Sequence, residues 1–274
     1  MNASSSHRAD ADTVKACCAM AYSGDRARAL LGDSFHPGGT RLTDRVADLL
    51  DIGDTSRVLD VAAGVGTSAI HLASLRGCHI VGVDLSADNV AEAARRAHAA
   101  GVGDRVVFHR GDAEILEVRA RSFDAVLCEC AFCTFPDKRS AAEAMARALR
   151  PRGRVGISDI TRRGGLPAEL DGLLAWVACI ADALPVEGYA DALAGAGLSV
   201  EHVEVCDGAL LEMAEGIAGR LLGARLLIET GRLSLPGVDL DAARSLARSA
   251  IAAVRDGRLG YAVLCATKPA DSQH

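Results

Sequence analysis

The chain has 274 residues, half of them hydrophobic and 3% aromatic, which is enough for one α/β domain with a large aliphatic core. Its net charge of −6 argues against a general binder of nucleic acid or of a membrane surface. Apolar runs are shorter than a membrane span and the polar start lacks a signal-peptide core, so we expect a cytoplasmic protein.

The sequence of the N-terminal region predicts helices that lie over a ligand site, rather than strands of a sheet. Residues 1–12 are polar and predict a mobile tail. A helical pattern then begins, followed by a breaker-rich loop at 32–39 and a helix that ends near Leu50. We therefore expect residues 13–50 to form a helical lid ahead of a main domain at 51–274.

The segment that begins at Val58 predicts a ligand-binding turn. An apolar strand carries Asp60, small residues including Gly64 and Gly66 follow, and a helix starts at Thr67. In such a unit the helix N-terminus faces the ligand, and the glycines let the backbone approach it. A second apolar run ends in Asp84, where an acidic residue can accept the hydroxyls of a ribose.

Strands and helices alternate regularly through the first half, which predicts a parallel sheet covered on both faces. The second half predicts more helices and two further strands. The predicted strands are 57–61, 79–83, 105–109, 123–128, 153–158, 199–206 and 261–267; the predicted helices are 67–76, 87–100, 138–149, 167–183, 187–196, 208–231 and 239–256. Ser86 is a plausible N-cap of the second of these helices.

The pattern Asp60-x-Ala62-x-Gly64-x-Gly66, followed by Gly82-Val83-Asp84, resembles motifs I and II of the class I S-adenosylmethionine methyltransferases. Ala62 stands where that family has its first glycine. The resemblance implies an enzyme with S-adenosylmethionine as cofactor and a doubly wound, mostly parallel seven-stranded sheet. This sheet would end in an antiparallel hairpin, with 208–256 as an inserted helical pair. The implied cofactor contacts are Asp60, Ala62, Gly64, Gly66, Thr67, Asp84, Leu85, Asp112, Ala113 and Cys128.

Nine cysteines are many for a chain of this size in a reducing compartment. We interpret Cys78, Cys206 and Cys265 as small core residues because they lie in or beside strand-like runs. The others fall at three places that could converge over the cofactor: the pair Cys17 and Cys18, the loop after the fourth strand with Cys130 and Cys133, and the later Cys179.

These cysteine contexts resemble the arsenite S-adenosylmethionine methyltransferases over roughly residues 13–200. Cys130 matches the cysteine after strand four, and Cys179 matches the one in C-I-A-x-A-L. Glu129 replaces an asparagine of that family, and Cys133 has no clear counterpart. The resemblance implies that Cys18, Cys130 and Cys179 bind a metalloid substrate, with Cys17 as the other candidate of its pair and Cys133 in reserve.

Thiolates prefer soft centres, and arsenic(III) held by three sulfurs would keep a lone pair for the methyl group. A thiol reductant would then be needed. Three alternatives remain: a structural Zn²⁺ site, a cysteine-based metal or metalloid sensor, and a methyltransferase for a small organic O, N, C or S nucleophile. In the last case Glu129, His36 or Asp159 could serve as base. The chain could be a monomer or a homodimer.

Overall fold

The structure, a computed structural model, describes Lys15, residues 36–166, Leu170, Ile180, residues 182–233 and residues 239–271. Its strands are β1 (Arg57–Val61), β2 (His79–Asp84), β3 (Val106–Arg110), β4 (Phe123–Glu129), β5 (Leu149–Arg162), β6 (Ser199–Val205) and β7 (Leu259–Thr267). Its helices are α1 (Gly39–Leu49), α2 (Thr67–Arg76), α3 (Ala87–Ala99), α4 (Lys138–Ala148), α5 (Val186–Gly195), α6 (Asp207–Glu229) and α7 (Leu240–Arg255). Two 3₁₀ turns lie at Ala113–Ile115 and Phe132–Thr134.

The strands form one seven-stranded sheet in the order β3-β2-β1-β4-β5-β7-β6. The first five pair in parallel, whereas β7 runs antiparallel between β5 and β6. The predicted doubly wound, mostly parallel sheet with a closing hairpin is therefore confirmed. Parallel pairing brings the carboxyl ends of β1, β2 and β4 to the same edge, which is where ligands bind in such sheets.

Helix α1 packs into the core of the domain. Val46 and Ala47 are fully buried, and a Cβ built on Gly156 of β5 would lie 2.7 Å from Cγ1 of Val46. Helix α3 begins where predicted, with Oγ of Ser86 accepting a hydrogen bond of 3.2 Å from the backbone N–H of Asn89. Residues 39–49 thus pack against the sheet, although they belong to the region that was predicted to form the lid.

Strand β5 is much longer than its predicted range of 153–158. It pairs with β7 over nine residues, from Arg154 to Arg162, and this neighbour extends it beyond its apolar centre. The predicted helix 167–183 lies mostly outside the described residues. Its last residues, Asp182 and Ala183, are not helical, because Leu184 forms a parallel bridge with Thr161 of β5.

Helices α6 and α7 form the predicted helical pair before the last strand. The pair packs on the sheet through residues such as Leu210, Ala214 and Val254. Leu222 and Leu226 of α6 are about half exposed. Within the described part of the chain, we find no helix that is long and apolar enough to cross a membrane.

Candidate active site

A cleft opens at the carboxyl edge of the sheet, over the ends of β1, β2 and β4. Most residues that line it lie in the turn after β1, at the end of β2, in the segment after β3 and in the loop after β4. They are Lys15, His36, Asp60, Ala62, Ala63, Gly64, Val65, Thr67, Ser68, Val83, Asp84, Leu85, Asn89, Gly111, Asp112, Ala113, Glu129, Cys130, Ala131, Thr134 and Phe135. The turn, the acidic residue of β2 and the segment after β3 thus meet as the sequence predicts.

The turn after β1 has a left-handed backbone at three positions. The φ angles are +59° at Ala62, +55° at Gly64 and +77° at Gly66, which caps α2. A Cβ on Gly64 would meet nothing within 4 Å, whereas one on Gly66 would lie 2.5 Å from Cζ of Phe108. Gly64 therefore faces open cleft, where a ligand can approach the backbone, and Gly66 faces the protein interior.

Asp84 is held in place by donors from three residues. Its Oδ2 accepts from the N–H of Gly64 at 2.8 Å, and its Oδ1 accepts from the N–H of Ser86 and the Nδ2 of Asn89 at 2.9 and 3.2 Å. Burial raises the pKa of this carboxyl, and these hydrogen bonds oppose the increase. The side chain is thus oriented at the cleft edge with acceptor capacity left for a ligand hydroxyl.

Asp60 lies at the end of β1 with 3% of its surface exposed. Among the described residues, its buried Oδ2 has no hydrogen-bond partner. Burial raises its pKa well above the ordinary value, and the nearby charges of Glu129 and Asp84 add to the increase. An unpaired buried acceptor fits a ligand that brings a donor or a positive charge, and S-adenosylmethionine carries both an ammonium and a sulfonium group.

The segment after β3 forms the far end of the cleft. Asp112 caps the short turn at Ala113–Ile115 by accepting from the N–H of Glu114 at 2.9 Å. Lys15, from the predicted lid, donates to Asp112 at 2.8 Å and to Glu114 at 2.5 Å. Lys15 is a contact that sequence patterns do not indicate, since the chain separates it from both partners by almost a hundred residues.

A buried polar cluster, which we call the Glu129 cluster, lies at the end of β4. Its members are Glu129, Ser68, Thr43 and His36. Ser68 donates to Oε2 of Glu129 at 2.6 Å, and Thr43 lies 3.1 Å from both carboxylate oxygens. The Nε2 of His36 lies 3.5 Å from Oε2. Of these four residues, the sequence identified His36 and Glu129 as possible bases; nothing in its pattern marks Thr43 or Ser68.

The cysteines at the end of β4 and after it differ in burial. Cys130 lines the cleft, but Cys133 is 1% exposed and its N–H donates to Oδ2 of the buried Asp159 at 2.9 Å. Cys128 is fully buried within β4 and does not line the cleft, because alternation along the strand turns its side chain into the core. Of these three cysteines, the structure places Cys130 at the cleft and buries Cys128 and Cys133.

The remaining predicted thiols, Cys17, Cys18 and Cys179, lie outside the described residues. Within the described ones, we find no group of three His, Cys, Asp or Glu side chains that could hold a metal ion. Asp159, the third candidate base, uses its two oxygens to accept from the N–H groups of Cys133 and Ile160. It therefore fixes the loop after β4.

Comparison with known proteins gives the domain type. Residues 58–153 match the model of a family described as "Methyltransferase domain". The chain is 36% identical over 134 residues to "Methyltransferase GfsG" of Streptomyces halstedii, covering 49% of this chain and 48% of that one. It is 33% identical over 168 residues to "27-O-demethylrifamycin SV methyltransferase" of Amycolatopsis mediterranei, covering 60% of this chain and 62% of that one. The chain thus spans between about half and three fifths of these curated relatives.

A solved structure confirms the fold. The phosphoethanolamine N-methyltransferase 2 of Haemonchus contortus, in complex with phosphomonomethylethanolamine and S-adenosylhomocysteine, superimposes with a TM-score of 0.79 at 22% identity. It covers 93% of this chain and 60% of that one. Residues 58–153 thus match a methyltransferase domain, and this matched part contains the turn after β1 and Asp84.

Proposed function

We propose that the chain transfers a methyl group from S-adenosylmethionine to a hydroxyl or amine group of a small organic molecule. The observation that carries this proposal is the Glu129 cluster, which places a carboxylate and an imidazole at one end of the cofactor cleft. When bound, the cofactor supplies an electrophilic methyl group on a positively charged sulfur. The named relatives, a rifamycin-type and a phosphoethanolamine methyltransferase, support an organic acceptor.

The residues of the chain have separate tasks in this proposal. Asp84 binds the ribose hydroxyls, Asp60 faces the positively charged end of the cofactor, and the backbone at Gly64 gives room for close approach. Asp112 and Ala113 bind the adenine. Lys15 joins the N-terminal segment to this end, which supports a lid over the cofactor in the part of the predicted region 13–50 that precedes the buried helix α1.

The test is methyl transfer by the purified full chain, followed by mass spectrometry of the products. The acceptors are 27-O-demethylrifamycin SV, phosphoethanolamine, dimethylglycine, arsenite and methylarsenite, with the protein kept reduced. Asp84→Ala serves as the binding control, and we expect its affinity for S-adenosylmethionine to fall by about 1–3 kcal/mol. Transfer to an organic acceptor supports the proposal. Unchanged cofactor affinity in Asp84→Ala would contradict the assignment of the cleft.

Transfer to a thiolate-bound trivalent metalloid is the second candidate. The position of Cys130 at the cleft favours it, since a thiolate there would face the methyl group. It requires that Cys18 or Cys17, and Cys179, join Cys130. Cys130→Ser and Cys179→Ser should then abolish arsenite methylation and spare cofactor binding, while the control Cys206→Ser stays active. Full arsenite methylation in both variants would refute the thiolate site.

A further inference from the structure

We propose that Asn89 is a second ribose-binding residue: its side-chain oxygen accepts one of the two ribose hydroxyls of the cofactor, and Asp84 accepts the other. The inference rests on the proposed function, in which S-adenosylmethionine occupies the cleft, and it divides the ribose contacts that were given to Asp84 alone. Asn89 belongs to α3 and lines the same cleft as Asp84.

The first observation is the number of acceptor positions that Asp84 has left. A carboxylate has about four lone-pair positions, two on each oxygen. Oδ1 of Asp84 already accepts from two donors, the N–H of Ser86 at 2.9 Å and Nδ2 of Asn89 at 3.2 Å. Oδ2 accepts from the N–H of Gly64 at 2.8 Å. One position therefore remains, on Oδ2, whereas a ribose brings two hydroxyls.

The second observation is the unsatisfied oxygen of Asn89. The residue is 3% exposed, and its buried Oδ1 has no hydrogen-bond partner in the part of the chain that the structure describes. A buried amide oxygen without a donor is unfavourable, and most such groups in native proteins are paired. Because Asn89 lines the cleft, a ligand there can supply the donor.

The third observation fixes which end of the amide is unpaired. Oδ1 of Asp84 accepts from the N–H of Ser86, so it presents an acceptor to Asn89. Only the NH₂ group of the amide can donate to it, which leaves the amide oxygen on the other side. That oxygen fits a donor such as a hydroxyl and does not fit a carbonyl or carboxylate of a ligand.

The start of α3 does not use this oxygen either. Ser86 caps the helix by accepting from the backbone N–H of Asn89 at 3.2 Å. Asn89 thus stands at the position where a glutamate or glutamine often bonds back to the N–H of the capping residue. Here the N–H of Ser86 donates to Asp84 instead. Asn89 is therefore held by its backbone and its side-chain nitrogen, and its oxygen has no partner in the helix.

Asp84 and Asn89 together match the chemistry of a ribose. Its two hydroxyls are on neighbouring carbons and need acceptors that lie side by side, and the contact of 3.2 Å between the two side chains provides such a pair. Because Oδ1 of Asn89 is buried, the amide has to shift toward the cleft as the hydroxyl binds. The pair selects nucleosides that carry both hydroxyls over either deoxy form.

The binding experiment uses titration calorimetry on the purified full chain without a methyl acceptor. The probes are S-adenosylhomocysteine and its 2′-deoxy and 3′-deoxy analogues. The parent should lose about tenfold in affinity when either hydroxyl is removed. Asn89→Leu, which is close in size, should no longer lose affinity when one of the hydroxyls is removed and should keep the tenfold loss for the other. Asp84→Ala should show the reverse pattern.

Ser86→Ala is the matched control. It removes the hydroxyl that caps α3 and leaves the acceptors of Asp84 and Asn89 in place, so it should keep the parental response to both analogues. An Asn89→Leu variant that still loses tenfold with both analogues would overturn the inference. If Asn89→Leu and Asp84→Ala lose their response to the same hydroxyl, Asn89 only orients Asp84 and the inference is also wrong.

A second measurement leaves the cleft unchanged. The chain has two asparagines, Asn2 and Asn89, so asparagine labelled with carbon-13 at the side-chain carbonyl gives two NMR signals, which an Asn2→Ser variant assigns. The Asn89 signal should move when S-adenosylhomocysteine binds, and one of the two deoxy analogues should fail to reproduce this shift. The same shift with all three probes would contradict a hydroxyl contact at Oδ1.

These outcomes separate the inference from the proposed function. A parent that does not bind S-adenosylhomocysteine would overturn both. Binding without the expected hydroxyl pattern would overturn the inference alone. The expected pattern, in a protein that methylates none of the organic acceptors, would support the role of Asn89 and show that the proposed acceptors are wrong.

Discussion

Phe108 of β3 packs against the turn after β1 on the side away from the cleft. Alanine substitutions at Gly64, Gly66 and Gly82 should measure this packing. A Cβ on Gly82 would lie 2.5 Å from Cε1 of Phe108, and one on Gly66 would lie 2.5 Å from Cζ. A Cβ on Gly64 would meet no protein atom within 4 Å. The three positions also differ in backbone, since Gly66 and Gly64 have positive φ angles and Gly82 does not.

The expected losses in unfolding free energy follow from the contacts of the added Cβ and from the sign of the φ angle. Gly82→Ala adds only the clash, which costs about 1–3 kcal/mol in a packed interior. Gly64→Ala adds only the left-handed backbone strain, about 1 kcal/mol. Gly66→Ala adds both, so the loss in unfolding free energy should be about 2–4 kcal/mol.

The assay is urea unfolding of each variant in the parent and in a Phe108→Ala background, which forms a double-mutant cycle. Removing the ring should reduce the cost of Gly82→Ala, with a remainder from Cβ of Ala63 at 3.1 Å, and leave Gly64→Ala unchanged. Calorimetry should give the opposite ranking for cofactor affinity, with Gly64→Ala weakest because its methyl group enters the cleft. An equal cost of Gly82→Ala in both backgrounds would refute the role of Phe108.

Two further predictions concern single residues of the turn. Asp60→Asn should stabilise the cofactor-free protein by about 1–3 kcal/mol near neutral pH, because it removes a buried carboxyl without a described partner. The pKa of Asp60 is higher in the folded chain, so parental stability falls as pH rises above the ordinary value of 3.8. The advantage of the variant should therefore grow in urea titrations as the pH rises above 3.8, and a constant difference would contradict the assignment. Ala62→Gly should raise the unfolding free energy by about 1 kcal/mol, since Ala62 has a φ angle of +59°; a lower urea midpoint would show that the strain is absent.

The sheet could be predicted from the sequence because its central strands are buried on both faces. Val58, Leu59 and Val61 read as an apolar run for this reason, and the predicted and observed limits of β1 are the same. Strand β5 was harder, since its first residues include Pro151 and Gly153, which are poor strand formers. Its length depends on pairing with β7, a neighbour about a hundred residues away. The local sequence pattern of β5 contains no information about its pairing with this distant strand.

The meeting of the turn, Asp60 and Asp84 at one cleft was predictable for a different reason: they lie within one βαβ unit, so their spacing in the chain fixes their spacing in space. The Glu129 cluster was not. His36 and Glu129 are 93 positions apart in the sequence, and their meeting depends on how α1 packs against β5.

The cysteines illustrate the limit of short sequence contexts. Cys130 and Cys133 are three residues apart, and proximity in the chain favoured a shared site. The short 3₁₀ turn at Phe132–Thr134 instead directs the N–H of Cys133 to Asp159 and buries its side chain, while Cys130 stays at the cleft. Spacing of three residues places side chains on one face of a helix, but not in a loop whose backbone changes conformation at Cys130, where φ is +52°.

Three carboxyl groups stand at the ends of three neighbouring strands, and their surroundings give them different properties. Asp84 accepts from three donors and can remain ionised. Asp60, with an unpaired buried oxygen, retains its proton to higher pH until a cationic group arrives. Glu129 accepts two hydroxyls and faces an imidazole. Because parallel strands bring these residues to one edge, a single cleft contains three carboxyl groups with three different surroundings.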